Sequence, residues 1–163
     1  MFDKLIAEYG AKLFALCFHL TGSREDAEDL YQDTWMKAYR AHDRYDSSRP
    51  FEAWINRICV NTYRDKLRRS KLKDMFAIFA TNEEKDRAMQ TIVAPPGEEK
   101  DADLAHAIQL LPENERICVV LYYFQDQDIK TMAQTLGISE GTIKSRLYQA
   151  RQRLKKELSK HEP

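Results

Sequence analysis

The sequence contains few of the residues that usually interrupt helices or cross-link small secreted domains. Only five glycines, five prolines and three cysteines occur among its 163 residues. Cys17, Cys59 and Cys118 stand far apart, and there is no CxxC pair and no Cys/His cluster with metal-ligand spacing. We therefore expect buried, reduced thiols, no metal site and no cofactor, and we exclude a disulfide framework.

Long apolar runs and strand-like alternation are also missing. No apolar run approaches the ~20 residues that a membrane-spanning helix needs, and Met1 to Lys4 do not begin a signal peptide. Apolar residues recur instead with helical periodicity along almost the whole chain. The sequence thus predicts an all-α, cytoplasmic protein with no membrane insertion of its own.

Acidic and basic residues balance at 26 each, but they are unevenly distributed. Residues 57–73 hold seven bases against one acid, a net of +6, and residues 139–160 hold seven against two, a net of +5. Between these blocks, residues 74–103 hold eight acids and three bases, a net of −5. We predict two small helical domains, at 1–73 and 104–163, joined by an acidic linker at 74–103. Because a polyanion responds to local fields, the neutral total does not exclude nucleic acid as a partner.

The C-terminal basic block has the pattern of two helices joined by a short turn. Apolar residues repeat at helical spacing from Ile129 to Leu136, and Gly137 can end that helix in a left-handed conformation. Ser139 can cap the next helix, whose apolar stripe starts at Ile143. This is typical of a helix-turn-helix, whose second helix enters the DNA major groove. The residues expected to face DNA are Ser139, Glu140, Thr142, Lys144, Ser145, Arg146, Gln149 and Arg153. An ordinary helical hairpin with a solvated charged face is the alternative.

The other basic block lies on a helix predicted from Phe51 to about Arg69. Its polar side carries Arg57, Asn61, Arg64 and Arg68, with Asn56 and Arg69 beside them. Arginine and asparagine make bidentate contacts with base edges. A polar loop with one aromatic residue, Tyr45, precedes the helix, and this combination suits binding of a single nucleic-acid strand. A solvent-facing basic helix would have the same pattern.

A third charged helix is predicted from about Arg24 to Ala41, after a cap at Ser23. Acids come first on its polar side and bases last, which complements the helix dipole. The same acids, among them Asp29 and Asp33, could instead form a docking surface for a partner protein. The residues alone do not decide between these two readings.

Taken together, three stretches resemble the extracytoplasmic-function sigma factors, two-domain promoter-specificity subunits of bacterial RNA polymerase. The first is Leu20–Trp35, which contains Glu-Asp-Ala-Glu-Asp-Leu-Tyr-Gln-Asp-Thr-Trp. The second is Phe51–Asp65, which contains Ala-Trp-Ile-Asn-Arg-Ile-Cys-Val-Asn-Thr. The third is Leu111–Arg151, which contains Ile-Ser-Glu-Gly-Thr-Ile-Lys-Ser-Arg-Leu. With their flanks they cover nearly the whole chain except the linker.

The resemblance implies a role for each predicted surface. Residues 1–73 would form a σ2-like domain that docks on the clamp of core RNA polymerase through Asp29, Gln32 and Asp33. The same domain would read and melt the −10 promoter element, through Tyr45, Asp46, Ser47, Asn56, Arg57, Asn61, Arg64, Arg68 and Arg69. Residues 104–163 would form a σ4-like domain that reads the −35 element as duplex through the helix-turn-helix. The implied partners are core RNA polymerase, promoter DNA and an anti-sigma factor.

Other classes of protein account for less of the sequence. A stand-alone helix-turn-helix regulator of the LuxR-like kind, with an N-terminal sensor or dimerisation domain, leaves the Arg/Asn helix unexplained. A helical adaptor would need neither basic block. The four histidines are scattered, and no nucleophile–base pair or glycine-rich phosphate loop occurs, so we do not expect an enzyme.

Overall fold

The computed structural model describes residues 2–78 and 99–160, with only the backbone described at 99–101. Within these ranges the chain forms α-helices and no strand, as predicted. The helices are α1 Phe2–Thr21, α2 Arg24–Ala41, α3 Phe51–Ile78, α4 Glu99–Leu110, α5 Glu113–Val119, α6 Ile129–Leu136 and α7 Glu140–Ser159. A 3₁₀ turn, His42–Arg44, follows α2, and a π-helical turn, Val120–Phe124, extends α5.

Local sequence determines where several helices begin and end. The side chains of Ser23, Asp128 and Ser139 each accept the backbone N–H three residues further on, at the starts of α2, α6 and α7. Gly137 ends α6 in a left-handed conformation, with φ of 68°. The caps predicted at Ser23 and Ser139 and the stop predicted at Gly137 are therefore confirmed.

The first three helices form a small bundle around an apolar core. Helix α1 packs along α2, and α3 contacts both. The core side chains include Leu13, Leu16, Leu20, Ala27, Leu30, Ile55, Cys59 and Val60. The three cysteines are free and buried, as predicted, and the Sγ atoms of Cys17 and Cys59 lie 3.7 Å apart in this core.

Helix α3 is longer than the sequence pattern indicated. It continues to Ile78, nine residues beyond the end predicted near Arg69, and its last residues are largely exposed. No glycine or proline occurs between Pro50 and Pro95, so the chain contains no residue that would stop the helix earlier. The first and last five residues of the predicted linker, 74–78 and 99–103, are thus helical. Its remaining part, residues 79–98, lies outside the described residues.

The second half packs α4 to α7 around the most apolar stretch of the chain. Ile117, Cys118, Val119, Val120 and Leu121 are all buried, as predicted. Arg116 stabilises the end of α4, because its guanidinium donates to the carbonyls of Ile108, Gln109 and Leu111 at 3.2, 2.7 and 2.8 Å. Carbonyls at a helix C-terminus have no intrahelical partner, and the carbonyl of Ile108 also accepts the backbone N–H of Leu111 at 3.1 Å.

The two halves also pack against each other. The ring of His19 in α1 stacks on Phe124 in the π-helical turn, with centroids 4.1 Å apart. Nearby, the Gln109 amide donates to the carbonyl of His19 at 3.0 Å, and the Gln125 amide donates to that of Lys12 at 3.3 Å. Helix α3 contacts α6, and buried residues from both halves form one contiguous cluster. No helix among the described residues is long and apolar enough to cross a membrane.

We expect Gly137→Ala to lower the unfolding free energy by about 1 kcal/mol, because a Cβ disfavours the left-handed conformation. No heavy atom lies within 4 Å of the added Cβ, so the loss is conformational and involves no steric clash. Urea denaturation measures the change. Gly141→Ala is the matched control, since Gly141 lies inside α7 and alanine there should stabilise by roughly 0.5 kcal/mol. Equal effects of the two substitutions would contradict this account of the turn.

The His19–Phe124 contact should make the stability depend on pH. Burial lowers the pKa of His19 below its ordinary 6.5, so the folded protein holds the imidazole neutral. Below pH 6.5 the unfolded chain binds the additional proton, and the unfolding free energy therefore falls as the pH drops towards the folded-state pKa. His19→Gln removes this titration. Urea denaturation measures the unfolding free energies of the wild type and the variant. Between pH 7.5 and 5 the wild type should lose stability relative to His19→Gln. The same difference in unfolding free energy at both pH values would exclude a buried neutral imidazole.

Candidate nucleic-acid interface

The polar loop after α2 and the start of α3 border a cavity of about 560 Å³. Its lining residues include three arginines and two aromatic residues: Arg44, Arg49, Arg57, Tyr45 and Trp54. Aromatic faces can stack on bases while guanidinium groups contact phosphates, which is the combination that single-stranded nucleic acid requires. Arg44 and Arg49 were not among the predicted site residues. Their position beside Tyr45, the aromatic residue of this loop, is the sequence feature that could have indicated them.

Hydrogen bonds within the loop hold its side chains in place. The Tyr45 hydroxyl donates to the carbonyl of Arg49 at 2.6 Å, and its ring lies 5.0 Å from that of Trp54. Asp46 Oδ1 accepts from the hydroxyl and the backbone N–H of Ser48, at 2.7 and 3.0 Å. These two hydrogen bonds lower the pKa of Asp46 and keep it ionised. Ser47 is exposed in the same loop.

The polar side of α3 agrees with the prediction at four positions. Arg57, Asn61, Arg68 and Arg69 are exposed, although Arg68 also pairs with Asp65 at 2.5 Å. The stripe therefore presents positive charge and one amide to solvent, next to the loop. Exposure alone would also fit a basic helix that binds nothing. The cavity beside α3 is the feature that favours a binding site over such a helix.

Two residues of this stripe are placed differently from the prediction. Asn56 is only 2% exposed, because the buried side of α3 includes both Ile55 and Asn56 and is wider than we expected. It cannot contact DNA in this arrangement. Arg64 is partly buried, and its Nε lies 3.6 Å from Glu113 Oε1. The same guanidinium donates to Asn114 Oδ1 at 3.3 Å, so Arg64 contacts the second half of the protein.

Helix α7 presents part of its predicted face to solvent. Glu140, Lys144, Ser145 and Gln149 are exposed. The hydroxyls of Ser139 and Thr142 lie 2.8 Å apart at the helix N-terminus, where the Ser139 side chain also caps the helix. Tyr148, one turn after Lys144, is 62% exposed on the same helix.

Arg146 and Arg153 have structural contacts that their sequence positions did not indicate. Arg146 is half-buried beside the Cys118 thiol, since it follows buried Ile143 by three residues and shares its side of the helix. Arg153 Nε lies 3.1 Å from Oε1 of Glu115, whose side chain is 8% exposed. Arg153 nevertheless stays exposed, with 59% of its side chain accessible, so its contact with DNA remains a prediction, as does that of half-buried Arg146.

The acidic side of α2 is exposed but partly neutralised. Lys66 of α3 places its Nζ 2.6 Å from Asp29 Oδ2 and 2.5 Å from Asp33 Oδ2. Gln32 is exposed on the same helix. The three residues predicted to dock on a partner thus share one surface, and a lysine bridges its two carboxylates.

The second half closes one side of the cavity. Gln134 and Thr135 of α6 line it together with the loop residues. No sequence pattern within either half could have predicted this contact. Arg57 and Asn61 remain exposed in spite of it. Among the described residues, no group of His, Cys, Asp or Glu has the composition and spacing of a metal site.

Comparisons with known proteins agree with this division into two halves. Residues 5–72 match the family model described as Sigma-70 region 2, and residues 101–154 match the one described as Sigma-70, region 4. The fold, with its basic loop-and-helix cavity in one half and a helix-turn-helix in the other, defines a sigma-70-type promoter-recognition protein.

Full-length relatives narrow the class further. The chain is 32% identical to the ECF RNA polymerase sigma factor SigE of Mycolicibacterium smegmatis, over 98% of this chain, and it spans 62% of that relative's length. It is 30% identical to the RNA polymerase sigma-H factor of Pseudomonas aeruginosa, over 96% of this chain and 86% of that protein. The chain belongs to the extracytoplasmic-function RNA polymerase sigma factors, which direct core polymerase to specific promoters and initiate promoter melting.

Solved structures show the same fold. The sigma factor RpoE of Bartonella quintana, solved in complex with the anti-sigma factor NepR, superposes with a TM-score of 0.81 at 25% identity, over 99% of this chain and 98% of that one. CnrH, solved with the cytosolic domain of CnrY, gives 0.72 at 24% identity, over 99% and 89%. These matches and the family assignment do not favour a stand-alone regulator.

The two basic side chains Arg153 and Lys144 should respond differently to truncation. Arg153→Ala leaves the buried Glu115 carboxylate without its partner and should lower the unfolding free energy by about 1–2 kcal/mol. Lys144 is exposed, and Lys144→Ala should change that free energy by less than about 0.5 kcal/mol. Urea denaturation of the two variants measures the contrast. Equal stabilities would show that the Arg153–Glu115 pair contributes nothing.

Proposed function

We propose that each of the three charged surfaces contacts one part of the transcription machinery. Residues 1–73 act as the σ2-like domain, in which Asp29, Gln32 and Asp33 dock on core polymerase. The loop–α3 cavity of the same domain reads and melts the −10 element. Residues 104–163 act as the σ4-like domain, whose helix α7 reads the −35 element, and residues 74–103 connect the two.

The observation that carries this proposal is the part of the cavity lining that the loop and α3 provide, which does not depend on α6. Extruding a base from duplex DNA costs a few kcal/mol, which a protein pocket must offset. Here the rings of Tyr45 and Trp54 offer stacking surfaces, and Arg57 offers a charge for the adjacent phosphate. The hydrogen bonds that fix the loop reduce the conformational entropy that would be lost on capturing a base.

The exposed side of α7 supports a duplex-reading role for the second half. Lys144, Ser145 and Gln149 have side chains that contact base edges or phosphates when a helix lies in the major groove. Glu140 can accept a hydrogen bond from cytosine N4. We do not assign base contacts to Arg146 and Arg153, because both contact the protein itself.

The packing of the two halves implies that they separate on polymerase. Gln134 and Thr135 of the second half are among the lining residues of the cavity proposed to bind the −10 strand, so they occupy space beside the loop and α3. The two promoter elements lie about two and a half duplex turns apart, or ~85 Å at about 34 Å per turn. Twenty residues, 79–98, separate α3 from α4, and fully extended they reach ~70 Å. We propose that polymerase holds the halves apart and the connection extended.

Regulation and location follow from the family. Because the similar sigma factor RpoE has been solved with the anti-sigma factor NepR, we propose that an anti-sigma factor binds this chain too. The protein would act in the cytoplasm, where the polymerase is. It would carry no catalytic step of its own, since nucleotide addition belongs to the polymerase.

A template with a pre-melted −10 region tests the role of the cavity. Arg57→Ala should reduce transcription by core polymerase from a duplex promoter by about tenfold, which corresponds to ~1.4 kcal/mol of lost strand capture. On the same promoter with a mismatched, open −10 region, the defect should shrink because no melting is needed. Lys4→Ala is the control, because it removes an exposed charge from α1, at a position far from Arg57 in the sequence. Equal defects on both templates would contradict a role in melting.

Footprinting tests the requirement for polymerase. The purified protein alone should not protect both promoter elements at once, whereas the protein with core polymerase should protect both. Strong simultaneous protection by the free protein would contradict the proposed separation step. The salt used must be constant, because phosphate contacts weaken steeply as salt increases.

A further inference from the structure

The contact between α2 and α3 contains a lysine that serves two carboxylates. Lys66 Nζ lies 2.6 Å from Asp29 Oδ2 and 2.5 Å from Asp33 Oδ2. The lysine side chain is 28% exposed, whereas both carboxylates are more open to solvent. One ammonium group on the −10-reading helix therefore sits at the edge of the surface to which polymerase docking has been assigned.

Electrostatics explains why a cation is needed at this position in the free protein. Asp29 and Asp33 are four residues apart on α2, and like charges at this spacing repel. Burial of Lys66 disfavours its charged form, but hydrogen bonds to both carboxylates outweigh this effect and raise its pKa. The lysine is therefore fully charged at neutral pH. Pairs that remain this accessible to water stabilise a protein by only ~0–1 kcal/mol each, so another cation can replace the lysine.

We propose that Lys66 is an internal counter-cation, which keeps Asp29 and Asp33 compatible in the free protein and is displaced by a cationic side chain of polymerase on docking. This inference rests on the proposed docking role of α2. An arginine of the partner fits the exchange, because its planar guanidinium can bond two carboxylate oxygens at once. Lys66 is thus a positioning residue whose own contacts oppose binding.

The exchange has an unusual consequence for a substitution. If the lysine–carboxylate contacts exist only in the free protein, their removal raises the free energy of the free state and leaves the bound state unchanged. Lys66→Met should therefore bind core polymerase roughly two- to fivefold more tightly at low salt, which corresponds to about 0.5–1 kcal/mol. The unfolding equilibrium constant of the free protein should rise by the same factor.

The experiment measures the dissociation constant of the full chain for core polymerase by fluorescence titration at low and high salt. Lys66→Met should gain affinity at low salt and lose most of the gain at high salt, because exposed charges are screened. Lys66→Arg keeps the cation and should bind like the wild type. Lys37→Met is the control for net charge, since Lys37 is an exposed lysine of α2 whose Nζ lies 3.8 Å from Asp65 Oδ2 and does not bridge Asp29 and Asp33.

The outcomes separate this inference from the docking assignment. If Asp29→Asn with Asp33→Asn does not weaken binding, the docking role of α2 fails, whatever Lys66 does. If that double variant binds at least tenfold more weakly while Lys66→Met binds as tightly as the wild type or less, only the counter-cation proposal is overturned. If Lys66 has only a structural role, Lys66→Met should lower both the stability and the affinity for polymerase. If Lys37→Met gains as much affinity as Lys66→Met, the gain comes from net charge and the counter-cation proposal is overturned.

Discussion

The packing of α1 against the second half is the contact on which the arrangement of this protein depends. Each half has fewer than about 80 residues, and a core of that size rarely supplies more than ~3–5 kcal/mol. The stacked rings of His19 and Phe124 and the glutamine contacts around them let both halves bury apolar surface in one cluster. The same packing brings α6 to the edge of the cavity between the loop and α3. Under the proposed function, a protein that reaches two distant DNA elements has to give up this contact.

Each of the three charged surfaces, on α2, α3 and α7, contains an ion pair within the protein. The chain is neutral overall, and several charged groups that the sequence analysis assigned to partners have an internal partner of opposite sign. Lys66 pairs with the acids of α2, Glu113 lies near Arg64, and Glu115 holds Arg153. The first two are accessible to water and thus replaceable, whereas the third involves a buried carboxylate and is part of the domain's structure. Whether a partner's charge can replace one member of an ion pair thus depends on how deeply the pair is buried, more than on which residues form it.

Much of this molecule could be predicted from local sequence. Helical periodicity, the serine caps and Gly137 determine the helices and the turn between α6 and α7, because these effects act over a few residues. The exposure of Arg57, Asn61 and Lys144 also follows from helical spacing. Local sequence did not indicate the contacts that join distant parts of the chain. Arg153 pairs with Glu115 of another helix while its own side chain stays exposed, and Asn56 is buried because neighbouring helices cover a wider side of α3 than its apolar residues indicated.

The distance between the two halves tests the central claim most directly. Spin labels on Ala11→Cys in α1 and Gln152→Cys in α7 would use exposed positions, and the buried native thiols should not react with the label. Pulsed electron paramagnetic resonance would then give the distance in the free protein and in its complex with core polymerase. A short distance in the free protein that lengthens by tens of ångströms in the complex is the result this account predicts. The same short distance in both states would contradict it.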